Sequence, residues 1–200
     1  MSGEIDLSPG SASKHPVASL VAFGQVGFAV FIGLCVVLHP GYVIKANEGG
    51  ISNFGVHLKT VVPYSLALVL PAGLTYRASR LIDASSDPLG YLRTVLRFYS
   101  VLILLTLLTT YTYKIDTAFR DLHVGVGVVI TIFELGASLW MYRELRALVA
   151  VLSLELVGFV LATLTIFGAL HLLFATQMLS GVAFAILLVQ TCRVLTTPSR

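Results

Sequence analysis

Long apolar segments constrain the fold of this chain more than any other feature. Six of them, each roughly the 20 residues that cross a bilayer as a helix, are separated by shorter polar segments. They lie at 17–38, 60–76, 94–113, 122–142, 147–167 and 170–192. Because backbone polar groups must be paired inside the membrane, the sequence predicts an all-α fold: a polytopic membrane protein with a six-helix transmembrane bundle.

Composition agrees with this fold class. Only 12% of the residues are charged, whereas a soluble domain has about 25%. The net charge of +3 is small, and no basic stripe with interleaved aromatics occurs, so we expect no nucleic-acid partner. The two cysteines show no paired spacing, which argues against a disulfide framework. We expect one membrane domain at 16–193, with flexible tails at 1–15 and 194–200.

The distribution of basic residues predicts the orientation of the chain in the membrane. Cytoplasmic segments carry an excess of Lys and Arg. With a cytoplasmic N-terminus, nine basic residues fall inside: Lys14, Arg77, Arg80, Arg93, Arg97, Arg143, Arg146, Arg193 and Arg200. Four fall outside: Lys45, Lys59, Lys114 and Arg120. Both termini are therefore predicted to be cytoplasmic.

The stretch "HPGYVIKANEGGISNFGVH" at 39–57 is unusually polar for this chain. It forms most of the first predicted outer loop, which is too long for a simple connector. Ile51, Phe54 and Val56 supply apolar surface, and the interspersed glycines allow tight turns. We therefore expect residues 47–57 to pack over the outer end of the bundle, near His123 and His171.

A polar site at this outer face is the first candidate functional site. The candidate catalytic residues are His123, His171 and Asp121; His57, Ser52 and Asn53 are candidate ligand-binding residues. Imidazoles and carboxylates at one depth would act as general acid and base on a lipid headgroup, or would bind a divalent metal such as Zn²⁺. The candidate metal ligands are His39, His57, His123 and His171. No HxxxH spacing occurs, no other cofactor is predicted, and histidine also favours membrane interfaces for its amphipathic character.

Glu134 and Glu155 form the second candidate site, because each lies inside an apolar segment. A charge at the bilayer centre costs at least ~2.5–3.5 kcal/mol, so both should face the bundle interior. They lie at matched depths on neighbouring antiparallel helices and should meet, with a shared proton or with Arg97 as a cationic partner. The alternatives are a packing network, a proton relay and a ligand site. Intramembrane glycines predict close helix packing, except Gly125 and Gly127, which would leave room for a lipid chain.

The order of these features resembles a known family. A six-span chain with "GGISNFG" before the second helix, and with "LH" and "FELGASLWM" in the fourth, is similar to the bacterial six-span membrane family grouped with the Frag and DRAM proteins. The motif residues are Ile51, Ser52, Phe54 and Gly55 in the loop, with His123 and Glu134 in the fourth helix. The resemblance covers most of 17–192 and implies a six-helix bundle, a bacterial plasma membrane and a link to lipids.

Three functions remain open from the sequence. The first is a membrane protein that handles a lipid or lipid-linked molecule, as an enzyme or without catalysis. The second is a non-catalytic subunit or assembly factor whose loop 39–59 docks a membrane protein partner. The third is a small proton-coupled transporter that uses Glu134 and Glu155.

Overall fold

The computed structural model of the chain describes residues 15–112, 115–145 and 148–197. These residues form seven α-helices, two short 3-10 helices and no strand, which confirms the predicted all-α fold. The α-helices are α1 (Pro16–Leu38), α2 (Val43–Gly49), α3 (Val61–Arg80), α4 (Asp87–Thr110), α5 (Thr117–Glu144), α6 (Val149–Ile166) and α7 (Leu173–Leu195). The 3-10 helices, Pro40–Tyr42 and Ile51–Val56, lie on either side of α2.

Five of the described helices, α1 and α4 to α7, are long and apolar enough to cross a membrane. The chain is therefore a polytopic integral membrane protein. Helix α3 has 20 residues, but it is less apolar than these five because it carries Pro63, Pro71 and two arginines in its last turn. Its crossing, and thus the count of six, stays a prediction.

The long helices form a closed ring with one helix outside it. Helix α1 packs against α3, α3 against α4, and α4 against α5, while α7 contacts both α5 and α1 and so completes the ring. Helix α6 packs extensively on α7 and less on α5. Large side chains fill the interior, among them the fully buried Tyr64, Phe184 and Leu188.

Glycines permit the closest helix contacts. A Cβ atom added at Gly24 of α1 would lie 3.0 Å from Pro71 Cα in α3, and one added at Gly158 of α6 would lie 3.1 Å from the Ser180 backbone in α7. The predicted close packing is confirmed at these two interfaces. A Cβ added at Gly136 or Gly181 would meet nothing within 4 Å, so the prediction is wrong there.

The two ends of the described chain lie together. His15 Nδ1 and Thr197 Oγ1 are 3.1 Å apart, one before α1 and the other after α7. The opposite end of the bundle carries residues 39–60, which we name the cap, and we name that end the cap end. Of the predicted tails, 1–14 and 198–200 lie outside the described residues, and the predicted start of the second tail at 194 is wrong because α7 continues to Leu195.

Candidate functional site

The cap is ordered and attached to α7 by two hydrogen bonds. The Ile51 N–H donates to Gln177 Oε1 at 2.9 Å, and the Ala175 N–H donates to Asn47 Oδ1 at 3.2 Å. Gly50 provides the turn between α2 and the second 3-10 helix, with a φ of 85° that favours glycine. The prediction that residues 47–57 pack over the end of the bundle is confirmed.

His123 joins the cap to two helices of the ring. It belongs to α5, its Nε2 lies 2.8 Å from Ser52 Oγ in the cap, and its Nδ1 lies 2.9 Å from Thr109 Oγ1 in α4. Asn53 holds the cap internally, because its Nδ2 donates to the carbonyl oxygens of Lys45 and Gly50. In this structure, three predicted site residues thus position the cap.

His39 and His57 form a separate pair. Their Nε2 atoms are 3.1 Å apart, and the ring of Tyr42 contacts both, with centroids 4.9 Å from His39 and 5.0 Å from His57. Thr60 Oγ1 donates to the Phe54 carbonyl at 2.6 Å, and the Phe54 ring meets Phe174 of α7 at 5.7 Å. Aromatic contacts therefore hold both edges of the cap.

The four histidines do not form one metal site. His171 is exposed in the connection between α6 and α7, and His57 pairs with His39, while His123 contacts Ser52 and Thr109. The described residues contain no group of three or more His, Cys, Asp or Glu side chains that would hold a metal ion. His57 lies beside His39 at the end of α1, and the predicted approach of His57 to His123 and His171 does not produce a three-ligand group among the described residues.

Two grooves open near the cap end. One of about 410 Å³ lies beside His57 and is lined by Gly55, Val56, Leu58, Val61 and Tyr111. The other, of about 430 Å³, lies between α4 and α5 and is lined by Leu102, Leu105, Leu122, Gly125, Val126 and Val129. Asp121 forms the end of the second groove nearest the cap and lies 3.7 Å from the Arg120 guanidinium.

A second polar cluster lies inside the bundle, roughly two to three helical turns from the end opposite the cap. Glu134 of α5 and Glu155 of α6 share a depth and are close enough for their charges to interact, while the predicted direct contact between them stays a prediction. The Tyr99 hydroxyl of α4 lies within reach of Glu134 and of Gln25 in α1, and Ser138 lies beside Glu155. We name these five side chains the membrane cluster.

The predicted cationic partner is wrong. Arg97 is exposed, and among the residues that the structure describes the one ion pair joins Arg120 and Asp121. Sequence reasoning missed Tyr99 and Ser138. Two sequence features could have identified them. Tyr99 lies inside the apolar stretch "FYSVLILL", and Ser138 follows Glu134 by four residues, which places Ser138 and Glu134 on one helix face.

Comparisons with protein-family models, with curated proteins and with solved structures found no match to the chain. The resemblance to the Frag and DRAM group therefore stays a prediction from the sequence. Function has to be inferred from the two sites themselves: the grooves at the cap end and the membrane cluster.

Proposed function

We propose that this protein binds a membrane phospholipid at the cap end. One acyl chain lies in the groove between α4 and α5, and the headgroup lies at Arg120 and Asp121. The observation that carries the proposal is this groove itself: about 430 Å³ of space with an apolar wall and a charged pair at one end. That combination matches an amphiphile better than a soluble ligand.

Gly125 makes the space for the chain. A Cβ added there would meet nothing within 4 Å, and the neighbouring wall is formed by Leu102, Leu105 and Val129. In a bilayer this wall faces the hydrocarbon region, where an acyl chain that fills a groove gains dispersion contacts with side chains on both helices. The groove therefore selects for a flexible apolar chain.

The charged end of the groove complements a zwitterionic headgroup. The side chains of Arg120 and Asp121 are 61% and 75% exposed, so both are accessible at the cap end. A guanidinium pairs well with phosphate, and a carboxylate pairs with an amine. Both charges of phosphatidylethanolamine would thus find a partner near the N-terminus of α5.

The cap keeps the two walls of the groove in register. His123 lies two residues before Gly125 on α5, and it contacts Thr109 of α4 and Ser52 of the cap. Both ring nitrogens of His123 already make hydrogen bonds, so the arrangement favours lipid binding over cleavage of the lipid by this histidine. We propose further that the cap faces the outside of a bacterial plasma membrane, with both termini in the cytoplasm.

A substitution that fills the groove between α4 and α5 tests the proposal. Gly125→Leu places a side chain in the space of the acyl chain, and Gly136→Leu places the same side chain on an open part of the same helix. We expect Gly125→Leu to reduce phosphatidylethanolamine retained after extensive detergent washing several-fold, measured by native mass spectrometry. We expect the Gly136→Leu protein to retain lipid like the unmodified chain.

Photo-crosslinking locates the bound chain. A phosphatidylethanolamine with a diazirine on its acyl chain should label peptides that contain 102–105 and 122–129 above the rest of the surface. Equal labelling of all membrane-facing helices, with equal lipid retention in both glycine variants, would contradict the proposal. Stoichiometric copurification of a protein through the cap, without retained lipid, would support partner docking instead.

A further inference from the structure

We propose that the membrane cluster is a binding site for a lipophilic organic monocation, which enters from the bilayer and displaces a proton. This site is separate from the lipid groove and independent of its proposed role. The cluster draws its side chains from four helices: Gln25 from α1, Tyr99 from α4, Glu134 and Ser138 from α5, and Glu155 from α6. Such a convergence at membrane depth marks a functional site by default.

Buried groups in the cluster lack partners. Glu155 is 3% exposed and Ser138 is 0% exposed. The two side chains lie beside each other, yet neither Glu155 Oε2 nor Ser138 Oγ meets hydrogen-bond geometry with any atom in the described parts of the chain. The same holds for Gln25 Nε2. Buried polar atoms in proteins are nearly always paired. The unsatisfied atoms belong to side chains of α1, α5 and α6 within one cluster, and a ligand with hydrogen-bonding or charged groups there would satisfy them.

The charge of the cluster determines the charge of the ligand. Two neighbouring carboxyl groups in apolar surroundings require a proton or a cation for each charge they carry. The polar groups that approach the two glutamates from other helices are Tyr99 of α4 and Gln25 of α1. No described Lys, Arg or His forms an ion pair with either glutamate. The missing positive charge has to come from a ligand or from protons.

Aromatic rings favour an organic cation over an inorganic one. The Tyr99 ring meets Phe184 at 4.9 Å and Phe133 at 6.3 Å between centroids, and Phe133 also meets Phe98 at 5.2 Å. Aromatic rings attract cations and tolerate bulky apolar substituents. The described residues place only two carboxyl groups here and no third acidic, histidine or cysteine side chain for a metal ion.

The site is reachable from the side of the bundle. Glu134 is only partly buried, and Ile132, two residues before it on α5, is 61% exposed. No residue of α5 before Ala137 is buried, and the contact between α5 and α6 is smaller than the contact between α7 and α6. A cation that partitions into the bilayer thus has a lateral path between α5 and α6. On binding, it pairs with a carboxylate, and the displaced proton passes to water.

The test uses tetraphenylphosphonium and the full chain in detergent. We expect saturable binding by equilibrium dialysis, release of about one proton per bound cation into weakly buffered solution, and weaker binding as the pH falls. Glu134→Gln and Glu155→Gln should weaken binding roughly thirtyfold or more, as when one partner of a desolvated charge pair is lost. The control is Glu144→Gln, which changes an exposed glutamate of α5, the helix of Glu134. This variant should bind tetraphenylphosphonium like the unmodified chain.

The proton measurement on the unmodified chain does not depend on how the variants fold. Saturable binding without proton release would overturn the exchange, and binding that does not saturate would overturn the site. If Na⁺ releases protons while tetraphenylphosphonium does not, the ligand class is wrong. Unchanged affinity in both glutamine variants, with helical circular dichroism intact, would also contradict the proposal.

Discussion

Gly55 has the least free space of the four glycines in the cap. A Cβ added there would lie 2.5 Å from Thr110 Cγ2 and 2.6 Å from Tyr64 Cε1. Both neighbours, Tyr64 and Thr110, are fully buried. They are hydrogen-bonded to each other, with 3.0 Å between Tyr64 Oη and Thr110 Oγ1. Gly55 is required for space, since its φ is not positive.

We expect Gly55→Ala to lower the free energy of unfolding by about 1–3 kcal/mol, because the added methyl forces buried neighbours apart. The midpoint of thermal unfolding in detergent, followed by circular dichroism, measures the effect. Gly41→Ala is the matched control, since a Cβ at that cap position meets nothing within 4 Å. Equal midpoints for the two variants would show that the cap yields freely at Gly55.

The N-terminus of α7 depends on a side chain from another element. Its own N-cap residue, Leu172, makes no side-chain capping bond, and the first N–H groups of a helix have no partner within the helix. Asn47 of α2 accepts from the Ala175 N–H instead. This hydrogen bond joins the short helix α2 of the cap to the N-terminus of α7.

We expect Asn47→Ala to destabilise this junction by about 0.5–2 kcal/mol, the usual cost of losing an N-cap. Hydrogen exchange at 173–176 and at 47–56 should speed up together, because one bond secures both segments. Asn47→Asp keeps an acceptor at a helix N-terminus and should exchange as slowly as the original. Unchanged exchange in Asn47→Ala would mean that the remaining cap contacts, including the bond from Ile51 to Gln177, hold the junction without this bond.

At the scale of the whole molecule, the contact between His15 and Thr197 bears on the number of membrane crossings. Both ends of the described chain lie at the end opposite the cap, which predicts an even number of crossings. Five helices meet the length and hydropathy of a span. We infer that α3, packed between α1 and α4, supplies the sixth crossing.

Single cysteines at Glu48 and at Ser85, which lie on either side of α3, test this crossing. We expect a membrane-impermeant maleimide to label Glu48→Cys from outside and Ser85→Cys only after the membrane is opened. Ser52 is a poor labelling position because it is 7% exposed. Cys35 and Cys192, both buried, are first replaced by Ala. Labelling of both positions from one side would exclude α3 as a span and contradict the orientation derived from the basic residues.

The sequence by itself determined the fold class, the approximate helix limits, the ordered cap and the shared depth of Glu134 and Glu155. These features follow from local composition, because a bilayer imposes a length on each helix and position along a helix specifies depth. Phe54 is buried and Ile51 partly buried against the bundle, which likewise follows from the apolar character of a few neighbouring residues in a polar loop.

Only the tertiary structure decided which side chains meet at a given depth. Four histidines share one end of the bundle, yet His57 pairs with His39 and His123 with Ser52 and Thr109. Tyr99 joins the glutamates, whereas Arg97, two residues away, faces outward. Side-chain partners depend on the rotation of each helix about its axis and on the order of helices around the ring. Both are determined by contacts between residues far apart in the chain, because apolar segments of similar composition pack in many alternative orders.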